Sequence, residues 1–214
     1  MNDAVLTDNL VFHVGIQPFT FRLRRGSMAI ILCPTETICH TLLNVFMGLT
    51  NPHQGAFSLF GTEICGQSEN ELNKIRMRIG AVFADGGLIS NLKAWENLIL
   101  PAMYHDRHPN GELVQRGRQM LRSVGYTARL MELPAHLNIY QHKQIGMARA
   151  MLMDPDLMIY DSLQHKLELS EKNTLIKVTQ TFHQEKNERT SLFLAADTNL
   201  PALIPEATIF HLRA

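Results

Sequence analysis

Residues 30 to 49 read "IILCPTETICHTLLNVFMGL", an apolar run that passes through a short polar loop into apolar positions spaced three and four apart. The run "MAIILC" (28 to 33) suits a strand covered on both faces, and the segment after it suits a helix with one buried side. "RIGAVFA" (78 to 84), "DLMIYDS" (156 to 162) and "TSLFLAAD" (190 to 197) repeat the first pattern. Buried parallel strands therefore alternate with helices. "LVFHV" near the start, "GAFSLFG" (55 to 61) and the terminal "ATIFHL" read as further strands, the first two antiparallel at an edge. "SEKNTLIKVTQTFHQEK" (170 to 186) is amphipathic, with Ser170 as the expected N-cap and Glu171 in its first turn. From about residue 91 to 153 there is helical pattern and no convincing strand, punctuated by Asn91, Pro101, Pro109, Gly111, Gly125 and Pro134. The expected fold is α/β, with a mostly parallel core sheet, an antiparallel edge sheet and an inserted helical subdomain.

A chain of 214 residues suits one such domain, and 45% hydrophobic with 19% charged residues is a globular composition. Twenty basic residues balance twenty acidic ones, so no net field favours nucleic acid, which is not expected as a partner. Cys33, Cys39 and Cys65 are an odd number without the spacing of a disulfide framework, as in a reducing cytosol. The start "MNDAVLTDNLVF" has no basic segment followed by a long apolar one, and no run approaches the roughly 18 apolar residues of a membrane span. A cytoplasmic protein that reaches a membrane through a partner is expected.

A working phosphate-binding loop after a strand reads G-x-x-x-x-G-K-[ST]: the glycines turn backbone N–H groups toward phosphate, the lysine reaches the outer phosphates and the hydroxyl holds magnesium. On that spacing Cys33 takes the first glycine, Ile38 the second, Cys39 the lysine and His40 the hydroxyl. Glu36 falls in mid-loop, where a carboxylate about 4 Å from a phosphate charge costs roughly 4 kcal/mol at an effective dielectric near 20. Loss of the charged lysine contact removes about another 1.5 to 3 kcal/mol. Together these weaken nucleotide binding by more than about a thousandfold. Thr41 offers a hydroxyl one place late.

The loop lies within a longer matching order: "TLLNVFMGLTNPHQGAFSLFG", "IGAVFADGGLISNLKAWENLILPAMYH", "LPAHLNIYQHKQIGMARAMLMDPDLMIYD" and "TSLFLAADTNLPALIPEATIFHL". In these segments the chain resembles the nucleotide-binding subunits of ATP-binding cassette (ABC) transporters over nearly its whole length, and it is most similar to those serving Mla/Mce-type lipid transporters. The resemblance implies one cassette over 1–214, with an α/β core at 1–87 and 151–214 and a helical subdomain at 88–150. With the sequence ending soon after its last expected strand, no room is expected for the C-terminal regulatory extension that some cassettes carry.

Each position that carries chemistry in that family can be read here through the resemblance. The Q-loop glutamine corresponds to Ala84. The signature LSGGQ is "LNIYQ", where Asn138, Ile139 and Tyr140 replace the residues that grip phosphate and Gln141 remains. In Walker B, Asp161 keeps its carboxylate, while the catalytic glutamate is Ser162, which cannot polarise water. The D-loop aspartate is Glu168 and the switch histidine is Ala196. Because the family builds each site from one subunit's phosphate loop and the other's signature, this chain spoils both contributions. The implied protein is a non-catalytic subunit with no bound cofactor expected, ATP and magnesium entering only by a different binding mode. Its implied partners are a membrane permease, another cassette or a second copy, with docking near residues 84 to 105 through Ala84, Trp95, Glu96 and Asn97. Two other readings remain open, an ATPase of altered mechanism using Asp161 and a freestanding interaction protein on the same fold. Ile139 and Tyr140 read equally as filling nucleotide space or as packing at a helix start. Cys33, Cys39 and His40 lack a fourth metal ligand, and the remaining histidines, His108 and His165 among them, read as scattered surface positions.

Overall fold

The computed structural model describes residues 3–105 and 110–214, so Pro109 and His108 lie outside the described residues. Nine strands form two sheets among the described residues. β1 (Asp3–Val11), β2 (Phe19–Arg24), β4 (Gln54–Leu59) and β5 (Thr62–Glu63) make an antiparallel sheet in the order β2-β1-β4-β5. β3 (Met28–Leu32), β6 (Ile79–Val82), β7 (Leu157–Asp161), β8 (Thr190–Ala195) and β9 (Thr208–His211) make a parallel sheet in the order β6-β7-β8-β3-β9. The strand expected at "LVFHV" runs earlier, from Asp3, and β2 is an addition. Its buried positions Phe19, Phe21 and Leu23 alternate with exposed ones, the period of a half-covered strand too short to stand out in sequence.

The parallel strands separate two apolar layers by side-chain alternation. Ile30, Met158, Tyr160 and Phe193 pack on one side, where Tyr160 and Phe193 stack with centroids 4.6 Å apart. Ile31, Ile159, Leu192 and Leu194 pack on the other, against α1 (Glu36–Phe46) and the antiparallel sheet. α2 (Glu69–Arg76) leads into β6.

Helices fill the chain between β6 and β7: α3 (Ala94–Tyr104), α4 (Asn110–Ser123), a single 3₁₀ turn at Pro134–His136, and α5 (Ile139–Leu152). Pro101 does not end a helix as expected but lies within the last turns of α3. There it lacks the N–H that would reach the Asn97 carbonyl, while the helix still closes with His105 N–H on the Pro101 carbonyl at 3.1 Å. α6 (Leu169–Gln184) also differs from expectation. Its N-cap is Glu168, whose N–H donates to Glu171 Oε2 at 3.0 Å, so the cap lies two residues ahead of Ser170. α7 (Leu200–Leu203) precedes β9.

α5 holds the helices to the sheet by three contacts. Gly86, at φ +87°, rests its backbone on the helix, and a Cβ on Gly146 would lie 2.4 Å from the Gly86 carbonyl oxygen. One turn on, Arg149 donates to the carbonyls of Gly87 (2.8 Å) and Gly86 (3.1 Å). On the other side, the ammonium of Lys143, without solvent exposure, donates to the carbonyls of Ser162, Leu163 and His165 at 3.1, 2.8 and 2.7 Å. Those three bonds shape the turn that follows β7.

Two outcomes follow from these contacts. Gly146→Ala should lower stability by roughly 2 kcal/mol in urea unfolding, although alanine is the better helix former by about 1 kcal/mol. An unchanged midpoint would show that the loop at Gly86 yields. Burial lowers the Lys143 pKa from 10.5 to about 8, so between those values the unfolded chain binds more protons than the folded one and this group makes stability rise with pH. Urea midpoints at pH 8 and pH 10 should therefore rise for the wild type relative to Lys143→Met; a relative fall would contradict the assignment.

Candidate functional site

The carboxyl ends of β3, β7 and β8 meet where Cys33 to Thr35 lead into α1. That helix starts at Glu36, four residues ahead of His40, so the stretch aligned with a phosphate loop is largely helical. Thr35 caps it: its Oγ1 accepts from Ile38 N–H at 3.3 Å, and its carbonyl accepts from Cys39 N–H at 3.2 Å. None of the described residues 33 to 40 takes a positive φ, so the alternating right- and left-handed backbone of an anion nest does not form. Thr41, the late hydroxyl, donates to the Thr37 carbonyl at 2.9 Å. Cys33 and Cys39 are buried beneath the loop, and contact with the Cys39 sulfur, together with burial, pushes the Cys33 thiol far up.

Two histidine–carboxylate pairs close over this corner. His40 Nδ1 shares a hydrogen bond with Asp161 Oδ2 at 3.1 Å, joining the positions aligned with the two magnesium-holding groups. His165 Nδ1 lies 3.2 Å from Glu36 Oε1, which gives the mid-loop carboxylate a partner within the chain. Asp161 is fully buried and its Oδ1 has no hydrogen-bond partner. Burial pushes its carboxyl above the usual range, opposed by His40, by the nearby Ser162 hydroxyl and by Lys143. Ser162 takes φ +46°, and its Oγ, though close to Asp161, makes no hydrogen bond of acceptable geometry. His165, read in sequence as scattered, belongs to this site. So does Gln164, buried with both amide atoms unpartnered. Neither carries a motif, and only the turn fixed by Lys143 brings them in.

The signature segment is closed on itself. Asn138 Oδ1 accepts from Gln141 N–H at 2.9 Å while Gln141 Oε1 accepts from Asn138 N–H at 2.9 Å, so the amides of Asn138 and Gln141 have partners in their own chain. Ile139 and Tyr140 pack against the layer beneath the helices. Burial raises the Tyr140 phenol, opposed by the Thr174 hydroxyl on α6 beside it, so its bulk turns toward its own chain. Ala196 follows β8, and Asp197 beside it pairs with Lys172 at 3.5 Å.

The docking set changes. Ala84 is half-buried at the end of β6. Trp95 packs inward: a Cβ on Gly117 of α4 would meet its ring at 3.0 Å. Asn97 is fully buried, accepting from Ile89 N–H at 2.7 Å and donating to the carbonyls of Ile89, Leu92 and Lys93. Glu96 is exposed and caps α3 through Lys93 N–H at 2.8 Å. Asn97 therefore holds the loop in place from inside, and Trp95, partly buried, packs between α3 and α4. The surface they support is a groove of about 720 Å³ between β6, α2 and the helices, lined by Phe83, Ile89, Leu100, Pro101, Tyr104 and Met153. Tyr104 is 82% exposed there. No helix among the described residues is long and apolar enough to cross a membrane, and no group of three or more metal-ligating side chains forms among them.

Comparison with known proteins converges on one family. The ABC transporter family profile matches residues 16–163. The chain is 28% identical over 159 residues to the intermembrane phospholipid transport system ATP-binding protein MlaF of Haemophilus influenzae, covering 74% of this chain and 57% of that protein. It is 24% identical over 187 residues to the probable ribonucleotide transport ATP-binding protein mkl of Mycobacterium leprae, covering 87% and 54%. The chain thus spans about half the length of these curated relatives. Among solved structures, the dimeric bacterial ABC transporter cassette MJ0796 superposes with a TM-score of 0.87 at 21% identity, over 98% of this chain and 94% of that one. The cassette cbiO1 of Clostridium perfringens superposes with a TM-score of 0.82 at 19% identity, over 100% and 86%. The structural likenesses establish the cassette fold, and with a profile match across more than half of its residues, the chain belongs to the ABC transporter family.

Proposed function

We propose that this chain is a non-catalytic cassette subunit of a membrane lipid-transport ABC complex, acting as a structural or regulatory partner of a permease or of another cassette. The observation that carries this reading is the closed phosphate corner. Thr35 caps the helix that replaces the loop, and His40 and His165 occupy the Asp161 and Glu36 carboxylates at hydrogen-bond distance. A nucleotide phosphate entering there would meet Glu36, find no lysine, and have to break the His40–Asp161 contact. Ser162 and Ala196 add neither a base nor a switch for water. The lipid assignment follows the similarity to a phospholipid transport protein, and a cytoplasmic position on the inner face of the membrane follows from partnership with a permease.

Docking would use the apolar groove, whose exposed Ile89, Leu100 and Tyr104 suit an amphipathic helix of a permease. The face carrying the closed signature would pack on a second cassette.

Isothermal titration of the folded protein with Mg-ATP, at concentrations that detect millimolar binding, should give no heat. Glu36→Gly, Ile38→Gly, Cys39→Lys and His40→Ser made together should restore a measurable signal. Micromolar binding by the wild type would sink the non-catalytic reading. For docking, Tyr104→Asp should abolish co-purification with a permease from detergent extracts while leaving the urea midpoint within about 0.5 kcal/mol, as expected of an exposed side chain. Retention of the permease by Tyr104→Asp and Leu100→Asp alike would place docking elsewhere.

A further inference from the structure

Behind the closed phosphate corner lies a second, smaller space. A cavity of about 240 Å³ opens between the turn after β7 and the segment after β8. Its floor is apolar, formed by Leu163, Phe193, Leu194 and Leu200, and its rim is charged. Glu36 meets His165 at 3.2 Å, and Asp197 meets Lys172 at 3.5 Å while its Oδ1 accepts from Asn199 N–H at 2.9 Å. Lys166 lines the same cavity from an exposed, left-handed residue at φ +59° and has no ion-pair partner among the described residues. Beneath the turn lies the ammonium of Lys143, whose pKa is lowered by burial first and then by the charges of Lys166 and Lys172, against the pull of Asp161 and Asp85. Three cations therefore gather at this end of β7, and one of them is unpaired.

We infer that this cavity is a binding site for a small apolar monocarboxylate, its ring or branched chain on the apolar floor and its carboxylate on the Lys166 ammonium. Three features select that class. An ammonium beside an apolar floor is complementary to a single negative charge on an apolar body, and the pairing is a charge-assisted hydrogen bond. Both carboxylates at the rim already have partners, so a cationic ligand finds neither of them free. The size fits as well: a cavity of about 150 Å³ takes benzene, so this one takes a ring bearing a carboxylate and not a whole nucleotide. The inference rests on the non-catalytic reading, because a nucleotide seated at the corner would move Glu36 and its partner His165. It adds to that reading a means of regulation, since the ligand would bridge the turn gripped by α5 and the segment after β8.

Saturation-transfer NMR and calorimetry on the full chain test the inference, with benzoate as the probe, benzamide as its neutral counterpart and acetate as the carboxylate without an apolar body. Benzoate should receive saturation and bind with a millimolar dissociation constant, the affinity about nine non-hydrogen atoms reach at ordinary efficiency. Benzamide and acetate should each bind at least tenfold more weakly. Lys166→Gln should weaken benzoate at least tenfold with an unchanged urea midpoint, as expected of an exposed side chain, while Lys166→Arg should stay within about threefold of the wild type. Ala196→Leu, whose added bulk enters the cavity, should abolish binding with the circular dichroism spectrum unchanged. Absence of saturation on benzoate, equal binding of benzamide or of acetate, or equal binding of benzoate by Lys166→Gln overturns the inference. If benzoate fails and Mg-ATP gives no heat, only this inference falls; if Mg-ATP binds, the non-catalytic reading falls with it.

Discussion

A lysine ammonium with no contact to solvent sits at the centre of this structure. Removing such a charge from water is expensive, and Lys143 is held only because three carbonyls converge on it. That requirement fixes the path of residues 162 to 165. It holds Ser162 in a left-handed conformation, turns Gln164 inward and sets His165 against Glu36. The arrangement of the site is thus a consequence of one buried charge on a helix of the inserted block, contributed from outside the motifs to which it gives shape.

Much of the fold was legible because burial leaves a periodic trace. Strands covered on both faces must be apolar throughout, and β3, β7 and β8 stood out for that reason. β2 did not, since a six-residue alternating strand carries little periodicity. The start of α6 was misplaced because a glutamate capping box is less familiar than a serine cap, and Pro101 was read as a break because its position within the helix cannot be known before the helix is.

The site was legible in a different way. Aligned positions showed which chemical groups had changed, but not what the replacements contact. Sequence spacing cannot show that His40 reaches Asp161 across 121 residues, or that Glu36 finds His165. The substitutions are correlated in space: each carboxylate at the corner has acquired an imidazole. Asn97 teaches the converse, since the resemblance set it at a docking surface while its hydrogen bonds to Ile89, Leu92 and Lys93 hold it inside.

The contact between Gly86 and Gly146 of α5 ties a loop to the same helix that carries Lys143. Gly86 touches the helix at Gly146, with no room for a methyl group, while Lys143 grips the turn after β7 one helical turn away, about 4.5 Å along the axis. Both ends of that short rod are fastened, one to the loop beside the groove and the other to the turn after β7. The loop beside the groove and residues 162 to 165 therefore share one helix turn as their common support.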